Sequence, residues 1–195
     1  MHVAEFGVKC HQCGIRFRSR QIPIILDKGK RNSELRLLGA AQQFEPFAIC
    51  TCPSCSHSDW AASFKRTEEQ AVLGQKNDPP HLQYRAAAIN AERAGKSFFK
   101  VAQLYLYAAW CAEDVGALPQ SREYRKLAID CFEKVLKIDP KNKDINYNLG
   151  KIYQGIGNQT KAVDNYQKSL INRSEINFDI EKEKDQKLRP GTAFF

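Results

Sequence analysis

Hydrophobic residues in the first third of the chain recur at alternate positions. The alternation runs through Ile15, Phe17, Ile22, Ile24 and Leu26. Such alternation is typical of β-strands that bury one face. A polar segment, residues 28–33, predicts a loop. Residues 1–66 are therefore predicted to form a small, irregular, strand-rich module.

After Pro79 the hydrophobic spacing becomes that of amphipathic helices. Breaks at Gly, Pro and capping residues predict helices over 81–92, 97–110, 121–136, 143–154, 159–171 and 174–188. The polar segment 67–78 is predicted to be a linker that ends at two prolines. We therefore expect an α+β fold that is mostly α, with a module at 1–66 and a helical domain at 79–195.

The net charge of +8 is spread unevenly over the 195 residues. Residues 1–66 hold ten Lys/Arg and five Asp/Glu, which gives +5, and the remainder gives +3. A basic module suits phosphate, an acidic protein or an anionic surface, and solubility explains it equally well. Because the sequence lacks a run of about 18 apolar residues and an N-terminal apolar segment, we expect no membrane span, no secretory signal and a cytoplasmic location.

Four cysteines carry the strongest chemical signal in the sequence. They form two Cys-x-x-Cys pairs, Cys10/Cys13 and Cys52/Cys55, with 38 residues (14–51) between them. Four thiolates suit one tetrahedral, structural Zn²⁺ ion, which requires no redox chemistry from its ligands. Gly14 directly follows the first pair and favours the tight turn that such a ligand pair needs.

Several alternatives remain open at these cysteines. Cys50 could replace Cys52 as a ligand, and His11 or His57 could replace a thiolate. Iron could take the place of zinc. One pair could instead perform thiol–disulfide exchange, although such a motif is expected at a helix start near a βαβ pattern, which this sequence does not show.

Both parts of the chain resemble known families. The cysteine pairs resemble those of zinc ribbons and rubredoxin-like folds, which implies a zinc-ribbon-like module over 1–66. Residues 143–174 resemble a tetratricopeptide (TPR) repeat. The residues that follow the TPR pattern in order are Leu149, Gly150, Tyr153, Gly157, Ala162 and Tyr166. The resemblance implies an antiparallel helical array in which Gly150 faces Ala162, while Asn146 stands where the family usually has Trp.

The TPR resemblance implies a protein partner. In that family the inner surface of each hairpin's first helix binds partners. By repeat position this surface contains Tyr147, Lys151 and Gln154, and Tyr105 in a more degenerate earlier repeat. A groove of this composition suits an apolar or extended peptide. The alternative is an array with a purely structural role.

Basic residues suggest a second function. Arg16, Arg18 and Arg20 alternate along one strand and so share a face, and the following loop adds the basic residues Lys28, Lys30 and Arg31. Such a surface can bind nucleic acid through phosphate contacts. Base-stacking aromatic residues are not evident on that face, which favours a simply solvated strand.

The layout as a whole resembles an uncharacterised bacterial family, a domain of unknown function whose members pair Cys-x-x-Cys knuckles with helical repeats. The matching segments are residues 10–14 with Phe17, 44–47, 52–55 and 105–110. This resemblance implies a soluble bacterial protein and supplies no activity.

No catalytic motif emerges from the sequence. It has no phosphate-binding loop, no Gly-x-Ser-x-Gly and no His-Glu-x-x-His, and its four histidines are scattered. We therefore interpret the chain as a non-enzymatic adaptor or scaffold, with a structural zinc module and a TPR-like groove for a partner protein. A nucleic-acid-associated regulator is the alternative.

Overall fold

The computed structural model describes residues 3–21, 36, 39–68, 71 and 73–170. The chain forms two compact units, Met1–Val135 and Leu136–Phe195. In the described residues a small sheet lies in the N-terminal part and five α-helices follow, which confirms the mixed and mostly helical class. The alternation at 22–26 and the helix expected at 174–188 lie outside the described residues.

A four-stranded sheet is built around the first hairpin. Strands β1 (Ala4–Lys9) and β2 (Arg16–Gln21) pair antiparallel, with Val8 opposite Phe17. The sheet has the order β5-β1-β2-β6, because two short strands, β5 (Lys65–Arg66) and β6 (Leu73–Gly74), flank the hairpin.

A second hairpin follows a 3-10 helix at Gly39–Phe47. Its strands, β3 (Ile49–Thr51) and β4 (Ser58–Trp60), pair antiparallel and form a sheet of their own. A 3-10 turn at Ala61–Ser63 comes next. Each hairpin therefore places one Cys-x-x-Cys pair in the turn between its two strands.

The segment expected to be a linker is hydrogen-bonded to both sheets. The backbone N–H of Thr67 donates to the carbonyl of Gly7 at 2.9 Å, and that of Gln75 donates to Arg18 at 2.8 Å. The N–H of Lys76 donates to the carbonyl of Thr51 at 3.0 Å. The first compact unit continues to Val135, and the expected division into residues 1–66, 67–78 and 79–195 stays a prediction.

The helices lie close to their predicted positions. They are α1 (Pro80–Arg93), α2 (Phe98–Asp114), α3 (Leu118–Ile138), α4 (Lys143–Gly155) and α5 (described over 159–170). Proline at the first position of α1 costs no hydrogen bond there. The side chain of Asn142 caps α4 by accepting the N–H of Ile145 at 3.1 Å. None of the described helices is long and apolar enough to span a membrane.

Polar side chains fasten the second hairpin to α1. The hydroxyls of Thr51 and Ser58 lie 2.7 Å apart, and that of Thr51 donates to Gln83 Oε1 at 3.1 Å. Gln83 in turn donates to the carbonyl of Asp78 at 2.6 Å, and Asn90 donates to the carbonyl of Ser58 at 3.1 Å. Thr51, Ser58 and Gln83 are buried. The hydrogen bonds therefore replace the bonds to water that these polar groups lose on burial.

Aromatic rings fill the space between the second hairpin, α1 and α2. Trp60 meets Tyr107 edge-on, with ring centroids 5.2 Å apart, and Tyr84 stacks on Tyr107 at the same centroid distance. Trp110 extends the cluster at 5.0 Å from Tyr107. The hydroxyl of the buried Tyr84 donates to the carbonyl of Glu45 at 2.7 Å.

A buried arginine connects this cluster to the 3-10 helix and α2. Arg36 is 5% exposed and donates to both carboxylate oxygens of Glu45, with Nη2 2.6 Å from Oε2. It also donates to Asp114 through Nη1 at 3.0 Å and through Nη2. Burial raises the pKa of the Glu45 carboxyl, and the guanidinium of Arg36 opposes that rise.

In the second unit, α4 and α5 meet at a glycine. A Cβ added at Gly150 would lie 2.5 Å from two ring carbons of Tyr166. The ring of Tyr166 therefore occupies the space that the missing side chain leaves, and the expectation that Gly150 faces Ala162 stays a prediction. Ile152 is buried, and so are the repeat positions Leu149 and Ala162.

The Arg36–Glu45 pair is tested by a double-mutant cycle. Arg36→Leu leaves the Glu45 carboxylate buried without its cation, so we expect the free energy of unfolding to fall by roughly 3–5 kcal/mol. Arg36→Leu/Glu45→Leu removes both charges and is expected to lose less than Arg36→Leu alone. Urea unfolding followed by circular dichroism measures these variants and Glu45→Leu alone, and strictly additive losses from the two single variants would contradict the pairing.

The Gly150–Tyr166 contact predicts that the effect of Gly150→Ala on the free energy of unfolding depends on the Tyr166 ring. Gly150→Ala is expected to lower the free energy of unfolding by roughly 1–3 kcal/mol, because the new methyl group overlaps the ring. In a Tyr166→Ala background the same substitution is expected to be neutral or stabilising by up to about 1 kcal/mol, since alanine favours helix. Thermal unfolding of the four chains measures this, and a loss that persists without the ring would refute the contact.

Candidate functional site

The two cysteine pairs occupy turns with the same backbone hydrogen bonds. In the first, the N–H of Gly14 donates to the carbonyl of Cys10 at 2.9 Å, and the N–H of Cys10 donates to Ile15 at 2.9 Å. In the second, Ser56 donates to Cys52 at 3.1 Å and Cys52 donates to His57 at 2.9 Å. Both turns are therefore knuckles of one design, which present their sulfur atoms from equivalent positions.

In each knuckle, the residue four positions after the first cysteine has a positive φ. Gly14 has φ 76°. Ser56 adopts φ 57° at the equivalent place and is the one non-glycine residue with positive φ in the described part of the chain. An L-residue pays roughly 1–2 kcal/mol for this conformation, so the second knuckle is held against local strain.

The four sulfur atoms converge on one point. All Sγ atoms of Cys10, Cys13, Cys52 and Cys55 lie within 4.8 Å of one another. Cys10 and Cys55 are 3.7 Å apart, and Cys13 and Cys52 are 3.6 Å apart. A tetrahedral ion with Zn–S bonds of about 2.3 Å requires sulfur separations of about 3.8 Å. Because a disulfide needs about 2.05 Å, the cluster has the dimensions of a zinc site and not of a bridge.

A bound cation would favour the thiolate form of the four clustered cysteines. The backbone N–H of Ile15 lowers the pKa of Cys13 to about 7. Burial raises the pKa of Cys10, and removal from water together with the neighbouring sulfurs raises that of Cys55 to about 12. Four thiolates this close repel one another, so a divalent ion is what allows all four to lose their protons.

The structure separates Cys50 from the four clustered cysteines. Cys50 is fully buried in a core with Val8, Phe17 and Phe64, and burial raises its pKa to about 11.

Two histidines lie next to the cysteine cluster without joining it. His11 and His57 form a separate group with Asp59, in which one ligand atom from each lies within 4.8 Å of the others. Burial, and next the charge of His11, lower the pKa of His57, so its imidazole favours the neutral form. Sequence reasoning considered these histidines only as substitutes for a thiolate, because the approach of Asp59 depends on the β4 register.

The residues predicted to bind a partner on α4 lie together on one partly exposed surface. Lys151 Nζ lies 5.1 Å from the ring centroid of Tyr147 and 5.3 Å from that of Tyr166. The hydroxyl of Tyr166 donates to Gln154 Oε1 at 2.9 Å. These four residues, Tyr147, Lys151, Gln154 and Tyr166, are called the α4 patch below. Tyr166 was predicted only as a packing residue.

Tyr105, by contrast, is buried. Its side chain is 4% exposed and lies in the core of the first unit, with its hydroxyl 3.5 Å from Glu92 Oε2. The expectation that Tyr105 lines a binding groove is corrected accordingly, because its face of α2 is covered within its own unit.

The basic strand has the predicted pattern. Arg16, Arg18 and Arg20 are exposed on one face of β2, while Phe17 and Ser19 are fully buried on the other. Arg18 lies 3.6 Å from the carboxylate of Glu5 on the neighbouring strand, which offsets part of the positive charge. Lys28, Lys30 and Arg31 lie outside the described residues, and nucleic-acid binding is not supported by what the structure describes.

Comparison with known proteins identifies one similarity. A family model described as TPR repeat matches residues 126–157, which include the end of α3 and all of α4. This match supports the TPR-like character of the C-terminal half and suggests a protein-interaction scaffold. No curated protein and no solved structure matches the chain. The resemblance to the uncharacterised bacterial family is not confirmed by a family match.

The cysteine cluster predicts one bound zinc ion. We expect purified full-length protein to carry about one Zn²⁺ per chain and Cys13→Ser to lose it, because three thiolates hold the ion less tightly than four. Elemental analysis measures the metal. Since the second hairpin is hydrogen-bonded to α1, we also expect faster amide exchange in α1 of the variant.

Cys50→Ala is the matched control for this experiment. It removes a buried cysteine two residues from a ligand and is expected to keep the zinc, with only the loss of stability that a small cavity causes. Metal-free wild-type protein with both hairpins folded would contradict the zinc assignment.

Proposed function

We propose that this chain is a non-enzymatic, cytoplasmic bacterial adaptor that binds a partner protein through its TPR-like helices and carries one structural Zn²⁺. The observation that carries this proposal is the TPR match over residues 126–157. Stacked helical hairpins of this kind present extended side-chain surfaces, which suit protein partners better than small substrates.

The α4 patch is the proposed contact surface. Tyr147 and Lys151 are partly exposed and Gln154 is exposed, so all three reach solvent from one side of α4. Aromatic rings beside a cation supply apolar area, hydrogen-bonding groups and one positive charge at low conformational cost. This composition suits an extended peptide segment that brings an apolar side chain and a carboxylate or backbone carbonyl for Lys151.

The proposed role of zinc is structural. The four cysteines satisfy the full coordination of a tetrahedral ion, so no position remains for water or substrate. The ion would lock the two hairpin turns together, and the second hairpin is hydrogen-bonded and packed against α1. Zinc would in this way hold the N-terminal sheet on the helices of the first unit.

The adaptor proposal predicts a partner that depends on the α4 patch. Tagged full-length protein is used to recover partners from its native host, with and without nuclease. We expect one stoichiometric protein that survives nuclease, and we expect Lys151→Glu to abolish its recovery, because the substitution reverses the only charge in the patch. Quantitative mass spectrometry measures the recovery.

Lys126→Glu provides a charge-matched control. Lys126 is exposed on α3, away from the α4 patch in the chain, and its reversal is expected to leave recovery unchanged. Circular dichroism checks that both variants stay folded. Equal recovery by wild type and Lys151→Glu would refute the proposed surface, and recovery that collapses with nuclease would favour the nucleic-acid alternative.

A further inference from the structure

A cleft of about 610 Å³ opens beside the cysteine cluster within the first unit. Both knuckles form one side of it, through His11, Gln12 and residues 55–59, and the C-terminal half of α1 forms the other. Arg93 and Lys96 also line it. The proposed adaptor function makes no use of this cleft.

Three potential metal ligands face one another at the wall of the cleft. His11 and His57 are arranged edge to face, with ring centroids 4.5 Å apart and planes at 82°. Asp59 completes the group, in which one ligand atom from each residue lies within 4.8 Å of the others. Two ligands bound at about 2.1 Å to a shared ion lie at most about 4.2 Å apart, so small side-chain rotations bring the three into coordination.

Strand geometry and hydrogen bonding orient two of these potential ligands, His57 and Asp59. His57 directly precedes β4 and lies two positions before Asp59, so their side chains project to the same face. The backbone N–H of Trp60 donates to Asp59 Oδ1 at 2.7 Å, which fixes the carboxylate. His57 Nε2 is buried and has no hydrogen-bond partner in the described part of the chain, which is unusual for a buried ring nitrogen.

This donor set has a known chemical preference. Neutral imidazoles suit Zn²⁺, Cu²⁺, Fe²⁺ and Ni²⁺, and two histidines with one carboxylate form a facial set that leaves further positions open. We propose that His11, His57 and Asp59 bind a second divalent transition-metal ion, distinct from the ion of the four cysteines, whose open positions face the cleft. Arg93 and Lys96 would then lie where small anionic ligands of that ion enter.

Cobalt distinguishes the two sites by colour. Untagged full-length protein, with its cysteine site filled as isolated, is dialysed against Co²⁺, and both metals are then counted. We expect about one additional Co²⁺ per chain with zinc retained. Because the second site has no sulfur ligand, its cobalt is expected to show weak d–d absorption without a thiolate charge-transfer band.

Variants of the cleft test the assignment. His11→Ala is expected to lose the additional cobalt while keeping zinc, since His11 is exposed and its removal leaves the knuckles intact. Asp59→Asn is a second variant with the same expected loss. Gln12→Ala, at an exposed neighbour that also lines the cleft, is the control and is expected to retain the cobalt.

The outcomes separate this inference from the zinc proposal. No additional cobalt in the wild type, or equal cobalt in wild type, His11→Ala and Asp59→Asn, would overturn the second site. Cobalt with a strong thiolate band and loss of zinc would also overturn it, because that ion would occupy the cysteines. Absence of zinc in the isolated protein would instead count against the structural zinc site alone.

Discussion

The convergence of four cysteine sulfurs is the constraint around which the N-terminal architecture is arranged. The sulfurs come from the turns of two hairpins that pair in separate sheets, and the structure brings them within 4.8 Å of one another. Without a cation the cluster would hold its protons, and the two turns would lose the charge that attracts them to a common point. The backbone at Ser56 is strained, and its positive φ belongs to the turn that presents Cys55.

The helices and the clustering of the four cysteines could be predicted from the sequence because their signals are local. Asn142 marks the start of α4 and Gly157 lies in the turn after it, and the x-x spacing favours Cys52 over Cys50. Strand β1 alternates Ala4, Phe6 and Val8, yet six residues are too few to distinguish a strand from an irregular start of the chain. Contacts that join distant segments, such as Arg36 with Asp114, leave no periodic trace in the sequence.

The expected linker illustrates the same limit. Its polar composition predicts a linker, but composition carries no information about backbone pairing. In the structure Gln75 and Lys76 donate to two different hairpins, so the segment connects the sheets. Likewise, repeat spacing indicates that Gly150 must be small, whereas the identity of its neighbour, Tyr166, depends on how α5 is rotated about its axis. The residues Tyr147, Lys151 and Gln154 could be placed together from the sequence because they share one helix, whereas the burial of Tyr105 comes from other elements.

The hydrogen bonds from Thr51 and Ser58 to α1 have a thermodynamic consequence. A ligand that binds only the folded state stabilises it by RT ln(1 + [L]/Kd), which is about 1.4 kcal/mol for each tenfold rise in free ligand above Kd. With zinc bound at the four cysteines, this stabilisation would extend to α1, because Gln83 and Asn90 hydrogen-bond α1 to the second hairpin. The folded population of the first unit would then vary with the free zinc concentration of its surroundings, so that metal supply would set how much of the scaffold is available.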